Sequence, residues 1–135
     1  MSRRMEAGLQ SSRAMASEGW HESPDLLRPD TRDMHRAITS LMEELEAIDW
    51  YGQRVDTTGD TALREILAHN RGEEQEHAAM LLEWIRRHDP DFDRHLREYL
   101  FTEGSILRRE AAIAQGAETN GARPTTSVGS LREKR

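Results

Sequence analysis

The sequence predicts an all-α protein: an antiparallel hairpin of two long helices followed by a short third helix. Three observations carry that prediction. Apolar residues between positions 34 and 55 recur at alternating spacings of four and three, the period of a single helix face. The same spacing returns between positions 63 and 84. Only Thr57-Thr58-Gly59-Asp60 separates the two stretches, and so short a link folds the second helix back along the first. One hairpin hides half of a bundle core, so two hairpins are expected to dimerise into a four-helix bundle that covers both seams.

Residues 1–28 are rich in Ser, Gly, Arg, Glu and Met without sustained periodicity. They read as a mobile N-terminal arm, with Trp20 the one residue suited to docking. The first helix begins at Pro29-Asp30-Thr31, where proline fits the first turn and the acid suits the positive end of the dipole. It runs to Thr57 with the seam Met34, Ile38, Leu41, Leu45, Ile48, Gly52 and Val55. Asp60 is the N-cap of a second helix over Thr61–His88. Asp89-Pro90-Asp91 ends that helix and opens a third over residues 91–101, with Phe92, Leu96, Tyr99 and Leu100 on one side. Thr102-Glu103-Gly104 breaks the chain, so the helical domain spans 29–104. Residues 105–124 form a weakly helical extension to about Gln115 and then a flexible linker. Residues 125–135 are a terminal segment of their own.

The chain is 36% hydrophobic but only 5% aromatic, too thinly filled for a lone globule of 135 residues, so oligomerisation should complete the core. The absence of cysteine excludes disulfide scaffolds, thiolate metal sites and iron–sulfur clusters. The net charge of -6 is concentrated between Asp30 and Glu103, which hold 18 acidic and 9 basic residues. An acidic domain does not suit nucleic acid and does attract divalent cations, although for the overall charge alone an ordinary solubilised surface is the better explanation. No apolar run reaches the roughly 18 residues that span a membrane. The two arginines at the start precede no apolar signal region, so synthesis and residence in the cytoplasm are expected.

The seam of the second helix carries the chemistry. It reads Leu63, Leu67, Asn70, Glu74, His77, Leu81, Trp84, and a buried helix face does not ordinarily hold a carboxylate and an imidazole, each of which loses hydration there. Glu74 and His77 are one turn apart on one face. On the first helix Glu44 lies about 60° around from Leu41 and so borders the apolar stripe, with Tyr51 seven residues further along the same strip. One Glu from one helix and Glu-x-x-His from the other is half of a carboxylate-bridged di-iron ligand set. Two copies would supply four carboxylates and two imidazoles, which suit a pair of iron ions roughly 3.5–4 Å apart. A lone imidazole on an apolar face is ordinarily a satisfied core residue, and Glu-x-x-His alone is a common helical pattern. The coincidence of all three residues favours a metal. Asn70 fits either a supporting hydrogen bond or a register device. His21, His35, His69, His88 and His95 lack ligand partners at helical spacing and read as surface or capping residues. Glu73, Glu76 and Asp49 read as solvated, and Met42, Met80, Leu82 and Trp84 as packing. Trp50 faces away from the first seam.

The chain resembles the encapsulated ferritins. The likeness lies in His35-Arg36-Ala37-Ile38, in Met42-Glu43-Glu44-Leu45-Glu46-Ala47-Ile48-Asp49-Trp50-Tyr51, in Ile66-Leu67-Ala68-His69-Asn70-Arg71, in Glu73-Glu74-Gln75-Glu76-His77-Ala78-Ala79-Met80 and in Leu96-Arg97-Glu98-Tyr99-Leu100-Phe101-Thr102-Glu103-Gly104. It covers residues 30–104 nearly without gaps. The resemblance implies a ferritin-like bundle made by two chains, with dimers assembled in a ring, typically a decamer. It implies a di-iron ferroxidase centre across the dimer interface, with Glu44, Glu74 and His77 as ligands and Tyr51 beside them. Glu43 and Glu46 match acidic residues on the path of incoming metal, and Trp50 a residue near them. Iron is then both substrate, as Fe(II), and product, as Fe(III), and calcium or zinc can occupy the site instead. Ser127-Val128-Gly129-Ser130-Leu131-Arg132 is similar to the peptides that load such cargo into an encapsulin shell, so residues 126–132 are the expected contact with that partner and the shell interior the expected location. The competing expectations are a non-catalytic bundle that holds zinc or calcium structurally and a metal-free helical adaptor recruited by its tail. Gly52 and Gly72 are departures expected to loosen helix ends or interfaces.

Overall fold

The computed structural model describes residues 19–121, with side chains to Ala117. Four α-helices follow a single 3-10 turn at Pro24–Leu26: α1 over Pro29–Thr57, α2 over Thr61–His88, α3 over Pro90–Tyr99 and α4 over Ile106–Gly121. The described residues contain no strand. They fall in two compact units that divide after Pro90.

The first unit is the hairpin. Its α1 has 29 residues, a rod of about 43 Å. Pro29 occupies the first turn, and Asp30 accepts a hydrogen bond from the Thr31 N–H at 2.9 Å. The reversal at Thr58–Asp60 is tied on both sides. Asp60 Oδ1 accepts from the Leu63 N–H at 2.7 Å, which is the expected N-cap of α2, an interaction worth about 1 kcal/mol. The Arg64 guanidinium donates to the Thr58 carbonyl at 2.6 Å. At the far end the Asp89 N–H bonds the Ile85 carbonyl at 2.9 Å, and Pro90 stops the ladder because it has no N–H. Arg86, Arg87 and His88 crowd the last turn of α2, where cations complement the helix dipole. His88 bonds the Trp84 carbonyl through Nδ1 at 2.7 Å and stacks on the Trp84 ring at 3.9 Å.

α1 and α2 pack against each other, but the stripe they share is narrow. Among the described residues only Ala37, Ala78 and Ile85 are buried as core. Met34, Leu41, Ile48 and Val55 are half-buried, as the seam predicts. Ile38, Leu45 and Leu63 are not: they stand 43%, 54% and 45% exposed. The reason is geometric. A seam that alternates four and three is wide enough to face a bundle, and a single partner helix covers one edge of it. Met42 and Met80, expected as packing residues, are likewise exposed.

Ahead of α1 the Trp20 ring packs on His35 with centroids 4.1 Å apart and planes tilted by 33°, so His35 carries an aromatic contact rather than standing as a bare surface residue. In the second unit, α3 is braced by Asp93–Arg97 at 3.0 Å and by Glu98 with His95 at 3.2 Å. Arg109 reaches back to the Glu98 carbonyl at 2.9 Å, which joins α4 to the end of α3. Phe101 and Gly104 turn the chain with φ of 58° and 83°, a conformation natural to glycine and costly for phenylalanine. α4 continues past Gln115, where a linker was expected to begin. Ala111, Ala112, Ala114 and Ala117 favour helix there, and no proline lies between Ile106 and Pro124. The expected docking segment 125–135 lies outside the described residues.

The carboxylate of Glu83 receives Arg86 at 2.6 and 2.7 Å and Arg87 at 2.9 Å. These hydrogen bonds hold its pKa down to about 2 from 4.5. A depressed carboxyl contributes stability above its unfolded pKa and loses it as pH falls through the folded value. Glu83→Gln should therefore lower Tm at pH 7, and the gap to the native protein should close as pH drops from about 4.5 toward about 2. Thermal melts across that range check it.

Candidate metal centre

The antiparallel register sets Glu44 on α1 against Glu74 and His77 on α2. One ligand atom from each of the three residues lies within 4.8 Å of the others. His77 Nδ1 is 3.1 Å from Glu74 Oε2 and 4.0 Å from Glu44 Oε2. Donors held by one cation at about 2.1 Å stand at most roughly 4.2 Å apart, and His77 lies within that limit of both carboxylates. The side chains of Glu44 and Glu74 are 25% and 23% exposed and that of His77 is 48% exposed. The cluster is thus walled on the hairpin side and open on the other.

Its electrostatics are those of two acids sharing one place. The hydrogen bond to Glu74, then desolvation, then the charges of Glu74 and Glu43 push the Glu44 carboxyl above the usual range, against the opposing pull of His77. Hydrogen bonds to Glu44 and His77 hold Glu74 below it. The two carboxyls are thus pushed apart in acidity, as adjacent acids are when a double charge is unfavourable. A cation between them answers the same need and competes with the proton. Two carboxylates and an imidazole, with no sulfur, form an oxygen- and nitrogen-donor set that fits iron.

The other residues singled out in the sequence lie outside this cluster. Glu43 is exposed next to Glu44 and acts on it through its charge. Glu46 is half-buried on α1. Tyr51 is half-buried, with the Arg54 guanidinium 5.5 Å from its ring centre. Trp50 is 49% exposed, in keeping with its place off the seam. Glu73 faces His69 at 3.1 Å instead of the cluster. One neighbour escaped the sequence reading. Arg71 reaches from α2 to the Ile48 carbonyl of α1 at 3.3 Å, and its guanidinium lies against Gly52, where a Cβ would stand 3.4 Å from Nε. The glycine on the first seam was the available signal.

A helical hairpin that brings two carboxylates and an imidazole together from facing helices is a ferritin-like metal-site unit. This chain belongs to the EncFtn-like family, whose model matches residues 19–103, as the resemblance to encapsulated ferritins led one to expect. It is 56% identical over 108 residues to the encapsulated ferritin-like protein of Rhodospirillum rubrum, covering 80% of this chain and 77% of that one. It is 38% identical over 115 residues to the encapsulin nanocompartment cargo protein EncC of Myxococcus xanthus, covering 74% of this chain and 85% of the relative. Among solved structures, protein ne0167 of Nitrosomonas europaea superposes with a TM-score of 0.64 at 62% identity, covering 66% of this chain and 98% of that one.

Because Glu44 holds its proton more tightly than an ordinary glutamate, metal and proton compete for it. Affinity for a divalent ion should fall on acidification, starting at a higher pH than a free glutamate would dictate. Calorimetric titration with cobalt(II) at pH 7.5 and 5.5 checks this, and proton release measured in two buffers should accompany binding. Affinity that does not change with pH would contradict it.

Proposed function

We propose that this protein is a ferroxidase that works as the cargo of an encapsulin compartment. The observation that supports this reading best is the three-residue cluster of Glu44, Glu74 and His77, open on one side. Iron(II) is the substrate. Each chain supplies half of a di-iron centre, and a second chain supplies the other half across the open side. Apolar residues left exposed by the single hairpin would be covered in such an assembly, among them Ile38, Met42 and Leu45 on α1 and Met80 on α2; each is already about half covered, so further burial is worth about 1 kcal/mol apiece. Dimers then build a larger ring.

Two ferrous ions held side by side give up two electrons to an oxidant such as dioxygen, which takes two protons and leaves as hydrogen peroxide. The role of the chain is to place the ions and balance their charge. Glu44 and Glu74 offset the added positive charge of the ferric product, and His77 fixes orientation. Glu43 and Glu46, on the acidic surface beside Glu44, draw iron in without holding the reacting pair. Tyr51 would stand beside the completed centre as a phenol able to hydrogen-bond or exchange an electron. Calcium or zinc should fill the same donors without turnover.

The encapsulin partner is carried over from relatives, one of which is described as encapsulin nanocompartment cargo. The protein would then reside inside the shell, in the cytoplasm, and no described helix is long and apolar enough to cross a membrane. The docking element would be Ser127–Arg132, where Val128 and Leu131 offer two apolar anchors and Gly129 permits close backbone contact. A weak contact repeated around a ring suffices by multivalency.

Ferrous oxidation should fall about ten- to a hundredfold in Glu44→Ala, Glu74→Ala and His77→Ala, while Glu73→Ala stays near the native rate. A stopped-flow ferroxidase assay reads this. A native protein that binds iron but does not oxidise it would instead support a structural metal bundle.

Deleting residues 126–135 should leave oxidation and oligomer size unchanged and abolish co-purification with a co-expressed shell. Undiminished packaging would place the docking element elsewhere.

A further inference from the structure

We infer that Arg71 is a positioning residue for the metal cluster, fixing the axial register of α2 on α1 through the Ile48 carbonyl in a lane opened by Gly52. The inference rests on the reading of Glu44, Glu74 and His77 as a metal site. Arg71 precedes Glu74 by three residues, and Ile48 follows Glu44 by four, so the cross-helix hydrogen bond at 3.3 Å lies one turn from the cluster on both helices.

Its acceptor is what makes this contact informative. A main-chain carbonyl inside a long helix moves only when the helix moves, whereas two flexible side chains can follow each other through a slide. The packing around it does not lock the register by itself, because two of the three buried residues are alanines and present little relief. The cluster is sensitive to such a slide. One residue of helix rise, about 1.5 Å, is a large part of the 4.0 Å between His77 and Glu44.

Gly52 completes the argument. A Cβ built there would lie 3.4, 3.7 and 3.9 Å from Nε, Cζ and Nη2 of Arg71. The guanidinium therefore lies within ordinary van der Waals reach of α1 at this glycine, and a side chain longer than alanine leaning the same way would crowd it. A glycine inside a helix is unfavourable, and here its absent side chain has a use. Gly72 offers a contrast, since a Cβ there meets nothing within 4 Å, and nothing in the fold explains it. Arg71 cannot itself ligate a cation, because its guanidinium is always protonated. Its effect on the metal must pass through the positions of the three ligands.

The test uses the full chain, with cobalt(II) as the probe. The site signal is the part of the ligand-field spectrum that Glu74→Ala removes. Arg71→Ala should weaken cobalt binding at that site by about tenfold or more and change the spectrum, while far-UV circular dichroism retains the native helix content. Gly52→Leu should reproduce both changes, because leucine favours helix yet displaces the guanidinium. If Arg71→Ala does not fold, Gly52→Leu decides alone. A native spectrum and affinity in the folded variants, even with a lower Tm, would overturn the positioning role and leave the metal site standing. Failure of the native protein to bind cobalt would overturn the site and this inference with it.

Discussion

Glu44 and Glu74 are brought together from different helices, and like charges at hydrogen-bonding distance repel. Much of the hairpin can be understood as the set of conditions under which that placement holds. His77 supplies a partner on one side. The crowding raises the pKa of Glu44 above the ordinary carboxyl range. Asp60, Arg64 and Thr58 fix the turn that sets how the helices return, and Arg71 bonds the backbone of the opposite helix a turn away. A cation satisfies the same cluster in place of a proton, so metal affinity and acidity belong to one linked equilibrium.

The second constraint is the scarcity of core. A hairpin with three buried residues in its core and a row of exposed apolar side chains gains little from burial on its own. Under the proposed dimer, a second hairpin would cover apolar side chains that one hairpin leaves in water.

Much of this was legible in the residues. The four-and-three periodicity, the proline at position 29, the Asp60 cap and the Asp89-Pro90 stop set the ends of α1 and α2 because each acts within one turn of itself. The cluster was legible because a carboxylate and an imidazole at seam positions have no cheap alternative explanation. The end of α4 was misread, since alanine-rich helix and polar linker differ little in composition. The buried edge of the α1 seam was misread for another reason. Periodicity marks an apolar face but does not say which edge of it a single neighbour covers.

The sequence by itself determined the helices, their antiparallel return and the identity of the three candidate ligands, because capping, periodicity and short links are local physics. Only the tertiary structure decided the rest. It set the distances among Glu44, Glu74 and His77, raised the pKa of Glu44 above the ordinary carboxyl range, rested Trp20 on His35 and laid Arg71 over Gly52. Each of these depends on how far one helix is slid and turned against another, and that is fixed by contacts between residues far apart in the chain.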